Sequence, residues 1–214
     1  MPRTRSITTM KTASVLCALL AASAARAASL PEARPRIALA PGSQLVLRGN
    51  STLHDYASAA TRMELAVELV DALPAGASPL ARLTLPGAVK SIVLTIPVEA
   101  MKSEKNGLDK NMYKALKAAE NPNIVFRLAS PAIASGAENT AFHVAGELEL
   151  AGKSQPIEVD VRASETPEGI VLEGSKALLM SDFGIKPPTM FLGTLKTADR
   201  VVVEWRLVLI NDGF

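Results

Sequence analysis

The sequence contains a single cysteine and few aromatic residues. Cys17 is the only thiol among 214 residues, and Phe, Trp and Tyr together make up 4% of the chain. Because Cys17 lies in a segment that we expect to be removed, the mature protein has no thiol for a disulfide, a nucleophile or a thiolate metal site. The shortage of aromatic residues argues against an outer-membrane barrel, because such barrels carry aromatic girdles at both membrane interfaces.

The sequence also lacks an apolar run of the roughly 20 residues that a membrane-spanning helix needs. A shorter apolar run at residues 13–22 follows three basic residues and precedes an Ala-Arg-Ala pattern at residues 25–27. This arrangement is typical of a secretory signal peptide with its cleavage site. We therefore predict a signal peptide over residues 1–27 and a protein that is secreted into the periplasm.

Removal of the signal peptide changes the sign of the net charge. Four basic residues and no acidic residue leave with it, so that 19 basic and 21 acidic residues remain. A mature chain with a slight excess of negative charge has no electrostatic basis for binding phosphate backbones. We therefore expect no nucleic-acid partner.

Eight segments of the mature chain alternate between apolar and polar residues, as a β-strand with one solvent-exposed face does. The last of them, Val201 to Ile210, carries Glu204 and Arg206 on one face. Most connections are short, which favours antiparallel neighbours. The eight predicted strands cover residues 44–48, 60–70, 91–98, 124–128, 142–150, 157–162, 169–180 and 201–210.

Two other segments do not follow the strand pattern. Residues 107–119 repeat apolar side chains at helical spacing, with Asp109 placed to cap the start and Asn121-Pro122 to end the run. They predict one short amphipathic helix that covers an open end of the sheet. Residues 28–43 are rich in proline and alanine and predict a flexible leader. One domain is therefore expected over residues 44–214.

The fold class that these elements predict is all-β, either a sandwich or a closed barrel. Eight strands suffice for a barrel that is just wide enough for side chains or one slender ligand. We expect the charged faces to meet water and the apolar faces to surround the interior. The alternatives are an outer-membrane barrel and a stress-related structural barrel whose side chains fill a dry core. Ten residues are predicted to line a ligand cavity: Met63, Leu65, Val67, Ile92, Leu94, Phe126, Phe142, Val144, Val203 and Trp205.

Four stretches in this order resemble the YceI-like family of bacterial secreted proteins. They are Gly49 to Tyr56, Asn111 to Phe126, Gly146 to Lys153 and Met180 to Ile185. The resemblance implies an eight-stranded antiparallel, lipocalin-like barrel with a helix at one end and an elongated apolar cavity. It further implies that the protein binds an isoprenoid or other amphiphilic lipid for transport or sequestration, and that it is not an enzyme. The expected partners are this lipid and, transiently, a membrane; no cofactor is expected, and a dimer remains open.

Catalytic and metal sites have weaker support in the sequence. His54 and Asp55 could act as a base and its orienting carboxylate, with Ser51 or Ser58 as a nucleophile. Adjacent residues of an extended chain point to opposite faces, however, so a structural role for Asp55 in a turn is favoured. His54, His143 and several methionines are not at ligand spacing for copper. We therefore predict no catalytic residue and no metal site.

Three lysines near the predicted helix are candidates for contact with a lipid head group. Lys102, Lys105 and Lys110 could meet an anionic head group at the rim of the barrel. Lysine side chains are usually solvated at protein surfaces, and this is the simpler interpretation.

Overall fold

The computed structural model describes residues 37–70, 78, 80, 83, 85, 87–129, 140–190 and 195–211. The predicted signal peptide lies outside these residues, as does the first part of the predicted leader. The described residues form one antiparallel sheet with ten strands of three or more residues and two strands of two residues. The all-β class is confirmed, whereas the predicted count of eight strands is wrong.

The elements have the following bounds. The strands are β1 (Ile37–Leu39), β2 (Gln44–Ser51), β3 (Asp55–Ala60), β4 (Glu64–Leu69), β5 (Val89–Pro97), β6 (Met101–Lys102), β7 (Asn123–Ala129), β8 (Thr140–Leu150), β9 (Lys153–Thr166), β10 (Gly169–Leu179), β11 (Thr189–Met190) and β12 (Leu195–Asn211). Helix α1 covers Asn106–Ala115, and 3-10 turns cover Val98–Ala100 and Met180–Phe183.

The sheet curls because the two ends of its strand order are joined by the chain. The hydrogen-bonded order is β4-β5-β7-β8-β9-β10-β12-β2-β3-β6, and β1 and β11 pair with β12 outside this path. β6 follows β5 after a single 3-10 turn, and β4 begins shortly after β3 ends. The first and last strands of the order are therefore held near each other, and the sheet forms a half-barrel around one interior.

The extra strands have little hydrophobic alternation of their own. β3 places Tyr56, Ser58 and Ala60 on its inward face, so that no apolar period-2 pattern marks it. β1 lies within residues 28–43, where we predicted no strand, and its three residues pair with the end of β12. These strands form because β12 and β2 offer free edges, which is a property of the neighbouring strands and not of the segments themselves.

Helix α1 is shorter than the sequence predicted. It ends at Ala115, and Lys117 in the following turn has a φ of 53°. Asp109 is not the N-cap: it is buried, and its carboxylate accepts hydrogen bonds from the Ser103 N–H at 2.8 Å and the Ser103 hydroxyl at 2.6 Å. Burial alone would raise the pKa of Asp109, but these hydrogen bonds outweigh it and lower the pKa. Asp109 therefore fastens the start of the helix to the loop before it.

A cluster of buried side chains lies beneath α1 at one end of the barrel. We call this the cap cluster; its buried members are Val98, Leu116, Leu148, Ala151, Phe183 and Ile185. Met112 of α1 packs against it. Ala151 and Gly152 form a two-residue hairpin turn, with the φ values of 53° and 78° that such a turn requires. The turn joins β8 to β9 and brings Ala151 into the cap cluster.

The outer face of the sheet carries cross-strand ion pairs. The Arg48 and Glu204 side chains meet at 2.8 Å, Arg127 and Glu149 at 2.8 Å, and Arg206 contacts Glu173 at 3.4 Å. All six side chains are at least 38% exposed, so each pair contributes at most about 1 kcal/mol to stability. The charged faces therefore lie on the outside of the sheet. No helix within the described ranges has the length and apolar character to cross a membrane.

His143 on the outer face of β8 lies between two carboxylates of β9. Its Nδ1 is 2.9 Å from an Asp160 carboxylate oxygen, and its Nε2 is 3.3 Å from Glu158. The hydrogen bond to Asp160 raises the pKa of His143, and Glu158 adds to the effect. The two carboxylates stabilise the folded protein by their contacts with protonated His143. This stabilisation is complete below the ordinary histidine pKa of about 6.5 and is lost as the pH rises through the elevated pKa.

We therefore expect an NMR titration to give His143 a pKa above about 6.5. Asp160→Asn should lower this pKa, because it removes the stronger of the two interactions with the imidazolium. Glu204→Gln removes a carboxylate that pairs with Arg48 instead and serves as the control. A wild-type pKa at or below the ordinary value would contradict the expectation.

Candidate functional site: the apolar cavity

The curled sheet encloses a cavity of about 370 Å³. This volume is near the lower end of the roughly 300–1,000 Å³ that is usual for small-molecule sites. Inward-facing side chains of β2 to β10 and of β12 line it, and α1 contributes Leu108, Asn111, Met112 and Ala115 at one end. The cavity is thus a product of the whole sheet and not of a local motif.

Nine of the ten residues that the sequence predicted for the cavity do line it. They are Leu65, Val67, Ile92, Leu94, Phe126, Phe142, Val144, Val203 and Trp205. The tenth, Met63, lies in the link between β3 and β4 and packs against the buried residues Leu45, Ile96 and Met101. That these residues contact a ligand remains a prediction.

Three aromatic rings of the cavity wall each lie over a glycine of an adjacent strand. Tyr56 covers Gly49, Phe126 covers Gly146, and Trp205 covers Gly174; a Cβ atom at any of these glycines would overlap the ring. Gly174 sits in a regular ladder opposite Trp205. The missing side chains let the rings lie along the wall.

The polar residues of the lining are gathered at the end that α1 covers. Ser51 and Thr197 face each other across β2 and β12, and His54 follows Ser51 in the hairpin. Lys176, two residues before Leu178 on β10, also lines the cavity. The end near Leu209 is lined by apolar residues such as Leu83, Val89 and Leu172. The lining is therefore apolar along its whole length, apart from a few polar residues near α1.

Sequence reasoning missed Lys176 as a lining residue. It lies on the same parity of β10 as Leu172, Gly174 and Leu178, which all face inward. A charged residue on the apolar parity of a strand is the signal that could have identified it. We had instead considered Lys102, Lys105 and Lys110; of these, Lys105 lines an adjoining pocket, and the Lys102 ammonium lies 5.2 Å from the centre of the Tyr113 ring.

A second, polar pocket of about 570 Å³ adjoins the cavity. His54, Tyr56 and Leu108 line both spaces, whereas Arg48, Arg200 and Val202 have the outward parity of β2 and β12 and place the polar pocket on the outer side of the sheet. Burial raises the pKa of the Tyr56 hydroxyl. The charged residues of the polar pocket are Arg48, Asp55, Glu104, Lys105 and Arg200.

The residues around His54, which were weighed above as a catalytic group, serve in part to hold a turn. The Ser51 hydroxyl donates a hydrogen bond of 2.8 Å to the His54 carbonyl oxygen and accepts one from the His54 N–H at 3.3 Å. Ser51, and not Asp55 as we had expected, therefore holds this turn. Within the part of the chain that the structure describes, no three His, Cys, Asp or Glu residues are grouped to hold a metal ion.

Comparison with known proteins relates this architecture to one family. The YceI-like domain matches residues 61–209. A polyisoprenoid binding domain from Saccharophagus degradans, implicated in plant cell wall breakdown, has a TM-score of 0.62 at 12% identity, over 83% of this chain and 99% of that one. BcnA of Burkholderia cenocepacia has a TM-score of 0.57 at 18% identity, over 78% and 95% of the two chains. At these identities the likeness shows the fold alone. No curated protein sequence matches the chain.

Proposed function

We propose, from the premise that this chain belongs to the YceI-like family, that it binds an isoprenoid or another amphiphilic lipid inside the barrel. The observation that supports the proposal most directly is the elongated cavity, which is lined almost entirely by apolar residues and has its few polar ones near α1. A lipid with a single apolar tail and a small polar head matches this division.

The strength of such binding depends on shape and on polar contacts. Burial of each methylene group contributes about 0.8 kcal/mol relative to water. A lipid tail, however, otherwise lies in a bilayer, where it is already shielded from water. Tail burial therefore nearly cancels between the two environments, and the fit of the tail and the contacts of the head group set the affinity.

We further propose that the protein acts without catalysis, as a carrier or a sequestering protein in the periplasm. The predicted signal peptide supports the location. The use of Ser51 to close a turn supports a binding role over a hydrolytic one. Loading and release of a lipid would require a transient contact with a membrane.

Two observations weigh against the alternatives. An outer-membrane barrel would place the Arg48–Glu204 and Arg127–Glu149 pairs against lipid, and charged residues on that face are destabilising. A structural barrel with a filled core would not retain a cavity of about 370 Å³.

Lipid recovery from native protein tests the proposal. We expect that protein purified without detergent from its native periplasm, extracted with organic solvent and analysed by mass spectrometry, yields an amphiphile in near-stoichiometric amount. A periplasmic protein of another fold, purified in parallel, controls for carry-over. Trp205 is the only tryptophan and lines the cavity, so its fluorescence reports binding of added farnesol to stripped protein. If no amphiphile is recovered and the fluorescence does not respond to farnesol, the proposal is contradicted.

A further inference from the structure

Lys176 is the one Asp, Glu, Lys or Arg residue among the described residues that line the apolar cavity. It is one of the inward-facing residues of β10, between Gly174 and Leu178, and it pairs with Val203 of β12. Val203 is itself a cavity residue. The lysine is therefore a half-buried residue of the cavity wall.

Strand register places Lys176 at the boundary between the polar and apolar parts of the cavity. Residues that pair across neighbouring strands form a row, and the row of Lys176 continues through Val203 and Leu47 to the buried Ser58. The rows nearer α1 contain Tyr56 and then the Ser51–Thr197 pair. In the opposite direction the rows hold Trp205, Leu207 and Leu209, and no polar residue lines that part within the described chain. An amphiphile would lie with its tail toward Leu209 and its head at Lys176.

The lysine has no carboxylate partner in the part of the chain that the structure describes. The ion pairs there involve other cations, on the outer face of the sheet, and no Asp or Glu lines the cavity. An ammonium group beside apolar walls is costly unless an anion or water satisfies it. It has three donors and no acceptor, so a carboxylate or phosphate oxygen is its natural partner.

We propose that Lys176 anchors the head group of the ligand and that the ligand is an amphiphile with an acidic head, a carboxylate or a phosphate. This inference rests on the proposed function and specifies its ligand class.

Three probes with the same tail and different heads test the inference: farnesol, farnesoic acid and farnesyl monophosphate. Each is titrated into stripped, full-length mature protein while the Trp205 fluorescence is recorded. We expect at least one acidic probe to bind about tenfold more tightly than farnesol, the size of one charge-assisted hydrogen bond. The two acidic probes separate carboxylate from phosphate recognition.

Variants then assign the preference to one side chain. Lys176→Met should remove the preference for the acidic probe over farnesol, and Lys176→Arg should retain it. Lys196→Met removes an exposed charge at the same end of the barrel and should change nothing. Equal binding of acid and alcohol by the wild type, or a preference that survives in Lys176→Met, would overturn the inference while leaving the proposed function intact. Failure of all three probes to bind would overturn the inference, and with it the proposed function if native protein also yields no amphiphile.

Discussion

Val144→Trp is expected to weaken the binding of farnesol by at least about tenfold, equivalent to about 1.4 kcal/mol. Val144 lies on β8, is 9% exposed and lines the cavity together with Phe142 and Leu148. An indole ring in place of its isopropyl group would occupy much of a space of about 370 Å³. The tail of the lipid and the ring would then compete for the same volume, and isothermal titration calorimetry measures the loss.

The adjacent residue supplies the control for this prediction. Ala145 is exposed on the outer face of the same strand, so Ala145→Trp adds the same ring without entering the cavity. It should leave the affinity for farnesol unchanged. Because an added side chain in a packed interior costs about 1–3 kcal/mol of stability, thermal unfolding of both variants must show that they remain folded. Equal affinities of the two folded variants would place the binding site elsewhere.

Phe183→Ala is expected to lower the free energy of unfolding by about 3–5 kcal/mol. Phe183 is 3% exposed and lies in the cap cluster with Val98, Leu148 and Ile185. Phe183 is the last residue of the 3-10 turn at Met180–Phe183, and Gly184 ends this turn with a φ of 65°. Loss of the ring would leave a void between this turn and α1, and the surrounding backbone can only partly collapse into it.

Urea denaturation followed by far-UV circular dichroism measures this change as a lower midpoint at constant m value. Leu53→Ala serves as the control, because Leu53 is 74% exposed and its truncation should change stability by no more than about 0.5 kcal/mol. If the two variants lost similar, small amounts of stability, the cap cluster would not hold the helix end of the barrel together.

Much of the fold could be predicted because hydrophobic alternation is strong in the long strands. β5, β7, β8, β9, β10 and β12 all overlap segments that the alternation identified. β3 was missed because Ser58 and Ala60 give its inward face no apolar character. The end of α1 was placed four residues too late, since Leu116 and Ala119 continue the helical spacing while the backbone at Lys117 has already turned.

The candidate site was predictable to a similar degree. Parity along each strand was enough to select Leu65, Phe142 and Val203 as inward-facing residues. Parity failed for Met63, which lies just before β4 and so is not bound by its alternation. Lys176 was missed because a lysine is ordinarily assigned to the wet face of a strand, whereas the register of β10 against β12 turns it inward.

Alternation is a local property of the chain, because successive side chains of a strand point to opposite faces whatever lies beside them. It was sufficient to show that this protein has an apolar interior and a charged exterior. Whether that interior is open or filled depends on contacts between residues far apart in sequence. Trp205 lies over Gly174 and Phe126 over Gly146, and only the pairing of their strands brings these residues together. The same pairing gathers Ser51, Lys176 and Thr197 at one end and so gives the cavity its direction.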